Sequence, residues 1–130
     1  YDGFVHNRRI ELPPAAARIA RRSSCVCDLY WEGGEGRRAL DLECRSSLSH
    51  LGESSAISDA DRSAALQLMG IEVVELTYGQ LADPARFEAF SGLVAEKLGV
   101  PPRERTAAQR LRQARLREEV LVDWERLPFV

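Results

Sequence analysis

Asp28, Asp41 and Glu43 are the residues whose type and spacing point most directly to chemistry. Asp41-Leu42-Glu43 reads as part of one strand and Asp28 as part of the strand before it, so a hairpin would bring the three carboxylates to one sheet face. Like charges across a strand pair are destabilising, and Asp is depleted in strands. A bound hard cation offsets that cost, because Mg²⁺ and Ca²⁺ take carboxylate oxygens. The three residues therefore predict a divalent-metal site for phosphodiester chemistry. A solvated sheet face, which is ordinarily polar, accounts for them equally well.

Other residues extend or compete with this site. Arg45 stands two positions after Glu43 and suits phosphate binding or stabilisation of developing charge, but its pKa is too high for a general base. His50 follows on a polar loop and is the candidate for acid–base work or a metal contact. Arg62 reads equally as a phosphate ligand, a partner of Asp41 or Glu43, or a partner of Asp59 or Asp61 in its own turn. Cys25, Cys27 and Cys44 lack a C-x₂-C pair and an evident fourth ligand, so zinc is not expected there, and buried free thiols are.

Elements that place these residues follow from periodicity and punctuation. Val5–Leu12 reads as a weak strand closed by Pro13-Pro14, and Ala15–Arg22 as a short helix or a loop. Ser24–Trp31 and Arg38–Arg45 alternate as two strands around a turn at Gly33-Gly34-Glu35-Gly36. A four-residue loop there predicts Asp28 opposite Asp41, Val26 opposite Glu43 and Cys25 opposite Cys44. One face then carries Cys25, Cys27, Leu29, Leu40, Leu42 and Cys44, and the other carries Asp28, Asp41, Glu43 and Arg45. Ser46–Ile57 reads as a loop, and a helix capped by Ser58 runs to Met69 before Gly70. Ile71–Leu76 is a strand reached by a right-handed crossover, Thr77-Tyr-Gly-Gln80 is a capping box, and Asp83-Pro84 opens a helix through Leu98. A last helix, about residues 105–124, carries Arg110, Arg112, Arg115 and Arg117, with Ala107, Leu111 and Ala114 spaced to dock it. Arg110 and Arg117 are the candidates there for contacts to a DNA backbone; a solvated helix face is the competing reading.

Whole-chain composition sets the frame. One hundred and thirty residues suffice for a single core, and 45% hydrophobic with 29% charged residues is a globular composition. No apolar run approaches a bilayer span, so no membrane association is expected. Three cysteines make no disulfide framework, which predicts a reducing, cytoplasmic setting. Net charge is −2, against bulk attraction to nucleic acid, yet 17 of the 18 basic residues are Arg, Lys97 being the exception, and several cluster near the C-terminus. The chain begins at Tyr1, and a preceding segment is expected.

The ordered set Cys27-Asp-Leu-Tyr-Trp31, Leu40-Asp-Leu-Glu43, His50, Asp59-Ala-Asp-Arg62 and Gly70-Ile-Glu-Val-Val-Glu-Leu-Thr77 resembles the endonuclease-like domains of the PD-(D/E)XK superfamily, in the branch related to very-short-patch-repair endonucleases. The resemblance covers roughly residues 24–98. It implies a restriction-endonuclease-like α/β (α+β) core, a mixed sheet of about four strands with flanking helices. The core would occupy about residues 5–98, with an Arg-rich helical extension at about 103–126 and the fold's leading helix before Tyr1. It further implies Mg²⁺ or Mn²⁺ held by Asp28, Asp41 and Glu43, Arg45 and His50 assisting, and hydrolysis of DNA. The chain departs from the family pattern in having Asp41 before Glu43, Cys44 in place of Gly, and Arg45 where Lys is usual.

Two functions from different classes follow. One is a divalent-metal-dependent DNA endonuclease, with Arg45, Arg62, Arg110 and Arg117 contacting the nucleic acid. The other is a catalytically degenerate nuclease-fold module with a nucleic-acid-binding, regulatory or protein-interaction role, as a homodimer or with a protein partner.

Overall fold

The computed structural model describes residues 1–45 and 53–121, with side chains described as far as Arg45 and again from Ser58. Four strands form one mixed sheet in the order β1 (Phe4–Glu11), β2 (Ser24–Trp31), β3 (Ala39–Arg45), β4 (Ile71–Thr77). The first two junctions are antiparallel, and β3 and β4 run parallel. That parallel pair needs a crossover, which helix α2 (Glu53–Leu68) supplies. Helices α1 (Pro14–Ala20), α3 (Tyr78–Ala82), α4 (Pro84–Leu98) and α5 (Ala107–Val120) complete the α+β architecture expected from the sequence.

Local chemistry explains where the elements start and stop. Thr77 and Gln80 make the reciprocal capping box at α3, and the Asp83 carboxylate accepts from the Ala85 and Arg86 amides at the start of α4. Gly99, at φ 66°, ends α4 in the left-handed conformation that glycine adopts at little cost. Helix α2 begins at Glu53, before the expected Ser58, because the Glu-Ser-Ser-Ala-Ile stretch read as loop continues its helical turn.

Apolar side chains pack on both faces of the sheet. On one, Ile10, Leu12, Cys25, Cys27, Tyr30 and Ile71 meet Ala16 and Ala20 of α1 and Ala65 and Leu66 of α2. On the other, Trp31, Leu40 and Leu42 meet Phe90, Val94 and Leu98 of α4. A sheet covered on both sides buries alternate residues in both directions, so Asp41, expected on a solvated face, is 0% exposed.

The β2–β3 register differs from the expected one by two residues. Gly34 and Arg37 exchange both backbone hydrogen bonds at 3.1 Å, which centres the turn on Glu35-Gly36 with Gly36 at φ 71°. Moving the turn centre by one residue moves every partner by two. Tyr30 therefore faces Asp41 and Leu29 faces Leu42, where Asp28 was expected opposite Asp41. The faces also sort differently. Cys25 and Cys27 share their side with Tyr30, while Leu29 and Trp31 turn to the α4 side, so β2 changes phase at Asp28. The β1–β2 ladder passes from His6–Leu29 to Arg8–Cys27 without pairing Asn7 to Asp28, and Asn7 has φ 53°.

Candidate functional site

The site is built where β2 and β3 part. Their ladder ends at Leu29–Leu42, although both strands continue beyond it. Backbone groups past that point need other partners. Asp28 supplies one: its Oδ2 accepts the Cys44 amide at 2.9 Å, a side chain doing the work of a missing strand carbonyl. From α2, Arg62 supplies another by donating to the Val26 carbonyl, and the same guanidinium donates to Glu43 Oε1. Asp28 and Arg62 thus close the fork between the strands.

Asp41 sits below this closure. Its Oδ2 is 3.7 Å from Arg62 Nη2, an ion-pair distance beyond hydrogen-bond reach. Among the described residues no backbone amide and no basic side chain donates a hydrogen bond to either Asp41 oxygen, although the side chain is wholly buried. Its near neighbours are Glu43 and Cys27; one ligand atom from each of the three residues lies within 4.8 Å of the other two. Burial first, and then a hydrogen bond that a protonated Glu43 makes to Asp41, push Glu43 up to about 8, against the opposing pull of Arg62. Burial first, and then the negative charge of Asp41, push the Cys27 thiol far above its ordinary range. Glu43 is therefore the carboxyl in this cluster that holds a proton near neutral pH.

The other sequence candidates go to different places. Arg45 is held between Asp59 on α2 at 2.8 Å and Glu75 on β4 at 2.5 Å, so its charge is spent inside the domain. Glu75 lies directly across from Glu43 on the parallel strand, and each member of that like-charge pair has an arginine of its own, Arg45 for Glu75 and Arg62 for Glu43. His50 lies outside the described residues. Arg117 donates to the Leu81 carbonyl and lies 4.5 Å over the Phe87 ring, joining α5 to α3 and α4. Arg110 is exposed at the groove between α4 and α5. Ala107, Leu111 and Ala114, expected to dock α5, are exposed; Gln113, Arg117 and Leu121 face the domain instead.

Two features escaped sequence reasoning. Cys27 joins the acidic pair only because β2 changes phase at Asp28, and nothing in the strand's alternation announces that. The basic segment is simpler: from Leu12 to Cys27 there are three arginines and no acidic residue, and Arg18, Arg21 and Arg22 are all exposed beside β2. Its signal in the sequence is that unbroken positive run, shorter than the C-terminal one.

As arranged, these residues do not fit the hard-cation site that three carboxylates would make. Asp28 is engaged by an amide, and the third donor within reach of Asp41 and Glu43 is sulfur. No protein-family model, curated protein or solved structure matches the chain.

Proposed function

We propose that this chain is a nuclease-fold module that binds nucleic acid without hydrolysing it. The observation that carries the reading is that Asp28, Glu43 and Arg45 are each engaged inside the domain. Asp28 is spent on the Cys44 amide, Glu43 on Arg62, and Arg45 on Asp59 and Glu75. A metal-activated water and a scissile phosphate need open coordination positions, and Asp41 is wholly buried. Exposed Arg18, Arg21 and Arg22 supply a phosphate-facing segment in a chain of net charge −2. A reducing, cytoplasmic setting belongs to this reading, supported by three unbridged cysteines.

A gel-shift titration with duplex and single-stranded DNA in EDTA tests it. Retarded complexes that form without metal, weaken with salt, and disappear when Arg18, Arg21 and Arg22 are changed to Glu are the expected result. No complex with either form overturns the binding role.

Metal-dependent hydrolysis is the second reading, and the side-by-side placement of Asp41 and Glu43 on β3 is what favours it. It requires Asp28 to leave the Cys44 amide and turn toward the pair. Plasmid nicking in Mg²⁺ or Mn²⁺ that EDTA abolishes, and that Asp41→Ala removes, would establish it in place of the first.

A further inference from the structure

We propose that Cys27, Asp41 and Glu43 form a buried binding site for one thiophilic divalent cation, Zn²⁺ or its spectroscopic stand-in Co²⁺. The geometry is the first support. One ligand atom from each residue lies within 4.8 Å of the others, and a tetrahedral ion with ligands at about 2.0–2.3 Å holds them closer than that. The second support is independent of clustering. Asp41 is 0% exposed, among the described residues nothing outside Cys27 and Glu43 donates a hydrogen bond to its carboxylate, and the Arg62 guanidinium stands off at 3.7 Å. A buried carboxylate in that position calls for a counter-charge between itself and Glu43. A proton on Glu43 lowers the negative charge there, and a cation would balance it.

Donor chemistry selects the class of cation. A thiolate with two carboxylates suits Zn²⁺ and Co²⁺ and disfavours Mg²⁺, which demands an octahedron of oxygens. Charge closes as well: a thiolate and two carboxylates balance a divalent ion plus Arg62, which keeps its anchor on the Val26 carbonyl. Cys27 is 0% exposed like Asp41, so the site lies in the interior, and with three protein ligands a bound water would complete the tetrahedron. The inference does not depend on nucleic-acid binding, and either can fail alone.

The test is titration of the chelator-treated protein with Co²⁺, read by absorbance. Expected are tetrahedral cobalt bands with a thiolate-to-cobalt charge-transfer band, saturating at one ion per chain, displaced by Zn²⁺ and unmoved by excess Mg²⁺. Cys27→Ser should remove the charge-transfer band and weaken binding by at least about tenfold. Because that variant touches the core, the double variant Cys25→Ser, Cys44→Ser is the companion: with Cys27 its sole thiol, it should retain the band. Absence of thiolate-bound cobalt in the wild type, loss of the band with Cys44→Ser alone, or displacement by Mg²⁺ would each overturn the proposal. Gel shifts in EDTA would be untouched by any of these results.

Discussion

Arg62 is the residue on which the charge balance of the interior turns. It brings one positive charge to Asp41 and Glu43, and it also satisfies a strand carbonyl. Arg62→Met should therefore cost about 3–5 kcal/mol, the range for breaking a buried pair from one side, and a urea midpoint measured at neutral pH reads it. A loss within experimental error would mean that solvent reaches the carboxylates. Glu43 gives a second prediction, with its sign fixed by the folded state holding the proton more tightly. Its carboxyl moves from 4.5 to about 8 on folding, through burial first and its hydrogen bond to Asp41 second. The stability this contributes is fully present below pH 4.5 and lost as pH rises through about 8. In EDTA, the wild type should lose stability relative to Glu43→Gln across that window, by at least about 1 kcal/mol. Parallel curves for the two proteins would exclude the buried proton. Asp28, Asp41 and Glu43 stood out in the sequence because carboxylates are conspicuous in strands. Arg62 was legible as a partner of Asp41 or Glu43, one of three alternatives, and the structure adopts it; Cys27 was not, since it reaches the site only through the phase change of β2.

Elements were easier to read than their alignment. Caps at Thr77, Asp83 and Gly99 are local chemistry, and the structure has them where the sequence places them. Register depends on one turn, and Gly33-Gly34-Glu35-Gly36 permits two centres; the one with Gly36 at positive φ is adopted. That choice, with the phase change at Asp28, carries Asp41 from an expected surface into the interior. The fork makes its own prediction. Asp28→Asn keeps an acceptor for the Cys44 amide and should stay near wild-type stability. Asp28→Ala leaves the amide to water and should cost about 0.5–1.5 kcal/mol, with faster hydrogen exchange at Cys44. Equal effects of the two variants would show that the negative charge, rather than the hydrogen bond, is what the fork uses. Across the sheet, Asn7 at φ 53° should accept Gly readily. A β-branched residue there meets left-handed strain of roughly 1–2 kcal/mol, so Asn7→Val should lower the melting temperature where Asn7→Gly does not.

At the scale of the molecule, the sheet and its covering helices contrast with α5. No helix among the described residues is long and apolar enough to cross a membrane. The two apolar layers lie on the faces of the sheet, between α1 and α2 on one side and α4 on the other. Helix α5 contributes no buried residue and leaves Leu111, Leu116 and Val120 more than half exposed. It is tied on by polar contacts: Arg105 just before it pairs with Glu88, and Arg117 reaches the Leu81 carbonyl across the Phe87 ring. Such attachment gives a helix that opens without unfolding the sheet, because local stability follows buried apolar contact. Arg117→Ala removes both the carbonyl contact and the ring contact. Amide exchange over residues 107–120 and tryptic cleavage after Arg110, Arg112 and Arg115 should then accelerate together, while the urea midpoint of the core moves by less than about 0.5 kcal/mol. If the core midpoint falls with the helix, α5 is part of the cooperative unit and its exposed leucines are tolerated there. If only the helix loosens, the Arg-rich segment is an appendage on a fold that stands without it. Changes to its exposed charges would then alter contacts with partners and leave the carboxylate cluster undisturbed.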